Sequence, residues 1–293
     1  MSTYASNLIS QSAGNAEKIA QSLKDVTIDE TPFGSIDKSK INILTDEGLT
    51  FSFSETPEMG QYCLLHKNIC AQLLAPYTKK VLLIVRDPLD WITSFYAYSV
   101  KINRYDKSIL EFLQEYRSVV LGNLNVRELL KFWVGLGVDV SVIPMETNKD
   151  NEGDFWSEFG QIFELPKGYK NNFSRVQKNQ SDFNSLNLHR NLNFIQNQIF
   201  GLLSKHDYQE RNILDRSHEE QKWNTRRFFE NSDTETIKTL SSLFSKTEFS
   251  LDFKLDNELC EYLEVNYINP LRETSHKKFT PIYQNYLHKV RSK

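Results

Sequence analysis

The central part of the chain contains one unbroken apolar run, residues 81–85, with charged residues on both sides. Five apolar residues are too few for a helix, and the β-branched members of the run favour a strand buried on both faces, as in a parallel sheet. Asp87 and Pro88 follow, and these residue types favour the N-cap and the first turn of a helix. Apolar residues then recur at helical spacing, at Leu89, Ile92, Phe95 and Tyr96. The pattern predicts a buried strand that ends at Arg86 and a helix that begins directly after Asp87.

Strand-like and helix-like segments alternate over the first 185 residues, which is typical of an α/β sheet. Buried strands are also predicted at 41–44 and 138–144, and helices at 2–23, 60–75, 107–120, 126–136 and 151–165. From residue 186 on the pattern is helical and polar, with a helix at 256–273 and a basic tail at 276–293 that we expect to be exposed. We therefore predict an α/β core at 1–185, with a short parallel sheet flanked by helices, and a largely helical part at 186–293 packed on the same domain.

Composition and charge narrow the class of protein. The chain has 293 residues, 39% of them hydrophobic and 25% charged, which is ordinary for a soluble globular protein. Its net charge of −3 argues against general affinity for nucleic acid. No apolar run approaches the roughly 18 residues of a membrane span, and the N-terminus lacks a signal-peptide pattern. We therefore expect a cytoplasmic protein without a membrane span.

The cysteines do not have the spacing of metal ligands. Cys63 and Cys70 lie seven residues apart in one predicted helix, and the third cysteine is Cys260. Free cysteines behave as small apolar residues, so we expect the first two in the core. No metal site is predicted.

Arg86 and Ser94 are the candidate chemistry of the central stretch. The carboxyl end of a parallel strand is where open α/β sheets bind ligands, and Arg86 is predicted to lie there. Ser94 would lie about two turns into the following helix, so that a guanidinium and a hydroxyl converge on one anion such as phosphate. The alternative is that Arg86 only ends a strand and Ser94 only faces solvent.

This stretch resembles a segment of the sulfotransferases that use 3′-phosphoadenosine 5′-phosphosulfate. The resemblance lies in Arg86-Asp87-Pro88 after an apolar strand, Ser94 eight residues after the arginine, and Phe95-Tyr96 next. It extends from about residue 2 to about residue 185 and is nearest to bacterial and glycan-type members. It implies a P-loop-like sulfotransferase fold in which Arg86 and Ser94 hold the 3′-phosphate of the nucleotide.

The resemblance also assigns residues to the donor and to the reaction. Ser2 and Thr3 are similar to the end of the loop that holds the 5′-phosphosulfate, although the strand and lysine that precede this loop in the family are not in the sequence. A carboxylate after the second strand is the candidate base in glycan-type members, which points to Glu47 with Asp46 beside it. These carboxylates could instead cap a turn, and His66 is the rival base.

A basic loop at residues 169–181 is similar to the loop that closes over the nucleotide in bacterial sulfotransferases. Arg175 and Lys178 would then neutralise the 3′-phosphate, although Gln177 and Gln180 alter the spacing of the family's motif. The alternative is a solvated connector with incidental charges.

The resemblance therefore implies an enzyme that moves a sulfuryl group from 3′-phosphoadenosine 5′-phosphosulfate to a hydroxyl, with a saccharide as the expected acceptor and 3′-phosphoadenosine 5′-phosphate as product. A catalytically inactive, sulfotransferase-like binding protein is the alternative. A kinase-like enzyme is disfavoured, because the chain contains no G-x-x-x-x-G-K-[ST] motif.

Overall fold

The computed structural model of the chain describes most of its central and C-terminal parts. The described residues are Ala5, Ile9, Lys18, 57–147, 152–165, 186–195, Asn197, Glu235, Thr239 and 250–292. These residues are mostly helical and include two parallel strands flanked by helices, which confirms a mixed α/β chain with a short parallel sheet. Within these ranges no helix combines the length and the apolar character needed to cross a bilayer.

The named elements follow in chain order. The helices are α1 (Cys63–Leu74), α2 (Pro88–Lys101), α3 (Ile109–Glu115), α4 (Arg117–Asn123), α5 (Val126–Gly135), α6 (Glu152–Ile162), α7 (Asn257–Leu263), α8 (Asn269–Thr274) and α9 (Thr280–Ser292). The strands are β1 (Lys80–Val85) and β2 (Asp139–Pro144). Short 3₁₀ segments lie at Pro57–Tyr62, Ala75–Tyr77 and Lys277–Phe279, and a π-helical segment lies at Glu264–Ile268. Residues 186–195 are also helical.

The chain divides into two compact units. The first consists of Met1–Asp90, Tyr116–Phe173 and Leu255–Lys293, and the second of Trp91–Glu115 and Ser174–Lys254. The division falls inside α2, between Asp90 and Trp91. The domain boundary predicted at residue 185 lies outside the described residues, as do the strand predicted at 41–44 and the loop predicted at 169–181.

The sheet of the first unit confirms two predicted strands to within one residue. β1 and β2 pair in parallel from Lys80 opposite Asp139 to Val85 opposite Pro144. The prediction that β1 is buried on both faces is wrong at Ile84, which is 55% exposed between two buried neighbours. Successive side chains of a strand point to opposite faces, so one face of β1 is open at this position. An unbroken apolar run contains no alternation that could have revealed this.

The N-terminal and cysteine predictions agree with the described residues. Ala5 and Ile9 are helical and fully buried, and Lys18 is helical and exposed, as expected of an amphipathic helix at 2–23. Cys63 and Cys70 are both buried in α1, which confirms their place in the core.

The single helix predicted at 107–120 is wrong, because α3 and α4 are separate helices. Tyr116 interrupts them with φ −97° and ψ 14°. α4 begins where it meets the 3₁₀ segment at Gly60, whose missing side chain lets the two backbones approach. A Cβ on Gly60 would lie 2.2 Å from Ser118 Oγ and 2.5 Å from Val119 N. This close contact holds the start of α4 against the 3₁₀ segment.

The exposed basic tail predicted at 276–293 is also wrong. α9 occupies this stretch, and its Tyr283, Tyr286 and Val290 are buried. Their spacing of three and four residues gives α9 one apolar face. The basic composition of the tail hid this periodicity in the sequence. The helix predicted at 256–273 exists, but the π-helical segment divides it into α7 and α8.

The second unit has an aromatic core. The ring of Phe112 lies 4.9 Å from that of Phe95, 5.5 Å from that of Tyr96 and 5.3 Å from that of Tyr105. Burial raises the pKa of Tyr96 to about 12, and its hydroxyl donates to the Lys107 carbonyl at 2.9 Å. Phe95 and Tyr96, which carry part of the sequence resemblance, are therefore core residues of this unit.

In the first unit, Lys67 of α1 is a buried amine that holds the end of α4. Its Nζ donates to the carbonyl oxygens of Gly122 at 2.9 Å and Asn123 at 2.8 Å. The last carbonyls of a helix lack intrahelical partners, so these bonds satisfy groups that would otherwise be buried alone. Burial lowers the pKa of Lys67 from 10.5 to about 7, and its interaction with Cys63 acts in the opposite direction.

Replacing Lys67 with methionine should remove a pH dependence from folding. Because the pKa of Lys67 is about 7 when folded and returns to 10.5 on unfolding, the unfolded state binds more protons between these values. Wild-type stability should therefore rise with pH across this window, by at most about 1.4 kcal/mol per pH unit from this group. Urea unfolding of both proteins, followed by circular dichroism between about pH 7 and 9, measures the difference.

The matched control is Lys131→Met, which removes an exposed ammonium of α5 that donates to Glu128 at 2.6 Å. Its stability should follow the wild-type pH profile. Parallel profiles for wild type and Lys67→Met would contradict the prediction. Loss of the two carbonyl contacts should lower the stability of Lys67→Met by a similar amount at every pH, so the test is the slope of the profile, which should be flatter once the titrating amine is removed.

Candidate functional site

Polar side chains gather where the two parallel strands end. Arg86 and Asp87 follow β1, and Glu146 follows β2. The ladder continues one residue past β2, since the Met145 N–H donates to the Val85 carbonyl at 2.6 Å. Parallel strands end at the same edge of a sheet, so these groups are brought together with three side chains from the C-terminal segment. We call this set the strand-end cluster: Arg86, Asp87, Glu146, Tyr267, Tyr286 and Lys289.

Asp87 is the centre of the cluster and is only 1% exposed. Its Oδ1 accepts from the backbone N–H groups of Leu89 at 2.9 Å and Asp90 at 3.4 Å, which confirms that Asp87 caps α2. Its Oδ2 accepts from Lys289 Nζ at 2.7 Å. Its own backbone N–H donates to Glu146 Oε1 at 3.2 Å. A single buried residue therefore ties β1 to α2, to the end of β2 and to α9.

Tyr267 holds the backbone of Arg86. Its hydroxyl donates to the Arg86 carbonyl at 2.5 Å and accepts from the Arg86 N–H at 3.2 Å. Burial raises the pKa of Tyr267, and the hydrogen bond with Arg86 offsets this only in part, so the hydroxyl keeps its proton. Both backbone polar groups of Arg86 are thus satisfied by one side chain just beyond the end of β1.

Tyr267 lies in the π-helical segment at Glu264–Ile268, which brings its hydroxyl to the backbone of Arg86. A π-helical turn shifts the hydrogen-bond register and changes which side chains face inward, and such turns are frequent at functional sites. Arg127 of α5 supports the segment, because its Nε and Nη2 donate to the Val265 carbonyl at 3.2 and 2.9 Å.

Tyr286 of α9 donates its hydroxyl to Glu146 Oε2. Burial raises the pKa of Tyr286, and the hydrogen bond and the charge of Glu146 raise it further. Tyr286 therefore stays a neutral phenol and acts as a donor. Glu146 Oε1 accepts from the backbone N–H of Asp87. The Glu146 carboxylate therefore links α9 to the residue that caps α2.

The two cations of the cluster reach solvent. The Arg86 side chain is 32% exposed, and its Nη2 lies 4.0 Å from Oδ2 of Asp90, which is in the first turn of α2. The Lys289 side chain is 44% exposed. Its pKa is raised, first by the hydrogen bond to Asp87 and then by the charges of Asp87, Asp90 and Glu146. The charged form of Lys289 is therefore favoured, and the side chains of both Lys289 and Arg86 are partly exposed to solvent.

The structure describes two of the site residues predicted from sequence, Arg86 and Ser94. Arg86 follows the last residue of β1, and Ser94 lies half-buried in α2, so the predicted strand end and helix are confirmed for both. Arg86 belongs to the first compact unit and Ser94 to the second. Six other predicted site residues lie outside the described residues: Ser2, Thr3, Asp46, Glu47, Arg175 and Lys178.

His66, the rival base, is a core residue. It is fully buried in α1, and its Nδ1 lies 3.9 Å from Cys70 Sγ. His66 is therefore part of the packed core around α1.

Sequence reasoning missed four members of the cluster. Glu146 had a usable signal, because it follows a predicted parallel strand as Arg86 does. Tyr267, Tyr286 and Lys289 had none, since their partners lie 181, 140 and 202 residues away in the chain. Only the folded arrangement brings them to the strand ends.

Comparison with protein-family models, with curated proteins and with solved structures finds no match to this chain. In the part of the chain that the structure describes, no group of three or more His, Cys, Asp or Glu side chains is arranged to hold a metal ion. The chemistry of the strand-end cluster and the sequence pattern around Arg86 are therefore the observations on which a function can be argued.

Replacing Tyr286 with phenylalanine should destabilise the protein more than the same change at Tyr283, which is also buried on α9. Tyr286 donates to a carboxylate, whereas the Tyr283 hydroxyl is hydrogen-bonded to the neutral Ser275 hydroxyl at 2.8 Å. A hydrogen bond to a charged group contributes about 2 kcal/mol and one to a neutral group about 1 kcal/mol. Urea unfolding of the two variants at pH 7 compares the losses. An equal or smaller loss for Tyr286→Phe would contradict the prediction.

Proposed function

We propose that the chain is a sulfotransferase with a P-loop-like fold that moves a sulfuryl group from 3′-phosphoadenosine 5′-phosphosulfate to a hydroxyl of a saccharide. The observation that carries the proposal is the position of Arg86. It stands directly after a parallel strand and before a helix that Asp87 caps, which is the arrangement that the sequence resemblance requires. In this proposal Arg86 binds the 3′-phosphate of the nucleotide.

The surroundings of Arg86 suit a phosphate ligand. Tyr267 fixes the backbone on both sides of the residue, so the base of the side chain is rigid. The guanidinium is partly exposed, and its ion pair with Asp90 is long, at 4.0 Å. A planar guanidinium can donate two parallel hydrogen bonds to phosphate, and a preorganised donor loses less entropy on binding.

The remaining proposed roles rest on the sequence pattern. Ser94 of α2 would add a hydroxyl to the 3′-phosphate, Arg175 and Lys178 would close over the nucleotide, and Ser2 and Thr3 would bind its 5′-phosphosulfate. Asp46 or Glu47 would accept the proton of the acceptor hydroxyl.

In the proposed reaction the acceptor oxygen attacks sulfur in line as the bond from sulfur to the bridging phosphate oxygen breaks. Positive groups stabilise the charge that develops on that oxygen, and the acceptor proton passes to the base. The products are the sulfated acceptor and 3′-phosphoadenosine 5′-phosphate.

A sulfotransferase-like binding protein without catalysis is the second candidate. The cluster favours it in one respect, because Asp87 and Glu146 are both engaged by groups of α9, which is typical of a structural contact. Transfer of radiolabelled sulfate from the donor to a mixture of saccharides separates the two candidates. Donor binding without transfer to any hydroxyl would favour the binding protein.

Replacing Arg86 with alanine should weaken the binding of 3′-phosphoadenosine 5′-phosphate. Loss of a bidentate, charge-assisted partner should cost about 2–4 kcal/mol, or about 30- to 1,000-fold in Kd. Affinity for adenosine 5′-phosphate, which lacks the 3′-phosphate, should change little. Titration calorimetry with both nucleotides measures the change.

Arg272→Ala, which removes an exposed guanidinium of α8, is the control and should bind both nucleotides as the wild type does. Unchanged affinity of Arg86→Ala for the bisphosphate would refute the role of Arg86. Absence of bisphosphate binding by the wild-type protein would refute the proposed function.

A further inference from the structure

α9 carries a second cation to the strand ends. Lys289 lies in the last turn of α9, and its Nζ is 2.7 Å from Asp87 Oδ2. One turn earlier on the same helix, Tyr286 is anchored to Glu146. Tyr283 and Val290 are buried on the same side of α9, and the Tyr283 hydroxyl is 2.8 Å from Ser275 Oγ. The position of Lys289 is therefore set by a packed helix and not by a flexible terminus.

The ammonium of Lys289 has donor capacity left for a ligand. An ammonium carries three N–H donors, and within the described part of the chain Lys289 Nζ bonds to one side chain, that of Asp87. Asp87 itself is buried and also accepts from two backbone N–H groups, whereas Lys289 is 44% exposed. The buried carboxylate thus fixes the ammonium of a partly exposed side chain.

Lys289 and Arg86 both contact the start of α2, from different elements. Lys289 of α9 lies 2.7 Å from Oδ2 of Asp87, which caps α2, and Arg86 at the end of β1 lies 4.0 Å from Oδ2 of Asp90 in the first turn of α2. Two partly exposed cations at the start of one helix favour a multiply charged anion over a neutral hydroxyl.

We propose that Lys289 is a second phosphate-binding residue of the nucleotide site, whose ammonium binds the 3′-phosphate together with Arg86 while Asp87 holds it in place. The inference rests on the proposed function, because it takes the nucleotide as the ligand of Arg86. It adds a specific consequence. Lys289 belongs to the machinery that distinguishes a 3′-phosphate from a 3′-hydroxyl, although it lies more than 200 residues from Arg86 in the sequence.

The test is titration calorimetry of wild type, Lys289→Met and Arg291→Met with 3′-phosphoadenosine 5′-phosphate and with adenosine 5′-phosphate. Lys289→Met should weaken the bisphosphate about tenfold or more and change the monophosphate little, because only the former has the phosphate in question. Arg291 is the matched control. It lies two residues further along α9, and its guanidinium donates to Glu264 at 3.1 and 2.7 Å, so Arg291→Met should bind both nucleotides as the wild type does.

Lys289→Arg separates a binding role from a structural one. This variant keeps the charge and should retain most of the preference for the bisphosphate. An equal loss of both nucleotides in Lys289→Met, with a lowered melting temperature, would show that Lys289 only seats α9 and would overturn the inference.

The failure of this inference differs from the failure of the proposed function. If wild type binds the bisphosphate, Arg86→Ala loses it and Lys289→Met does not, the inference about Lys289 is wrong and the proposed function stands. If wild type does not bind the bisphosphate, or Arg86→Ala binds it unchanged, the proposed function is wrong and the inference falls with it.

Discussion

The burial of one carboxylate, that of Asp87, constrains the whole end of the sheet. A charged group that is 1% exposed must receive hydrogen bonds or an ion pair for nearly every oxygen lone pair that water would otherwise serve. The first turn of α2 supplies two backbone donors, and Lys289 of α9 supplies an ammonium. The start of one helix and the end of another are therefore fixed on the same residue. Asp87 can be buried only if both are in place, so the docking of α9 is part of the fold of the sheet and not an addition to it.

The backbone of Arg86, next to Asp87, also needs hydrogen-bond partners, and the π-helical segment supplies them. Beyond the last ladder bond the N–H and carbonyl of Arg86 need partners, and the hydroxyl of Tyr267 serves both. In a regular α-helix from residue 257 to 274, side chains would follow one another about every 100° around the axis. The π-helical segment at Glu264–Ile268 alters this rotation and so changes the side of the helix on which Tyr267 lies. Arg127 then satisfies the Val265 carbonyl within the segment. The irregularity is stabilised at both ends, which gives the Arg86 side chain a rigid base.

Local sequence patterns predicted the elements, and long-range contacts decided what those elements do. The apolar run at 81–85, the Asp87-Pro88 helix start and the spacing of Cys63 and Cys70 depend on neighbours within a few residues, so a single sequence contains them. The exposure of Ile84 depends on what covers the other face of the sheet. The buried face of α9 was present as a periodicity, but the basic residues in and around the helix, Lys277, Lys278, Lys289, Arg291 and Lys293, concealed it. Of the strand-end cluster, Arg86 and Asp87 could be placed from sequence, whereas Tyr267, Tyr286 and Lys289 could not, because no local rule relates residues so far apart in the chain.

The same long-range contacts bear on whether the strand ends attract or repel an anion. Two cations, Arg86 and Lys289, face three carboxylates, Asp87, Asp90 and Glu146, and a count of charges alone would give a negative site. The count is misleading, because the carboxylates differ in what surrounds them. Asp87 is buried among backbone donors, and Glu146 accepts from Tyr286 and from the Asp87 N–H, so much of the negative charge of both is compensated by neutral dipoles. Both cations are partly exposed, whereas Asp87 is buried, so a ligand that approaches from solvent meets Arg86 and Lys289 before it meets Asp87. Asp90 and Glu146 are partly exposed as well, and they are the carboxylates with which a phosphate would have to compete.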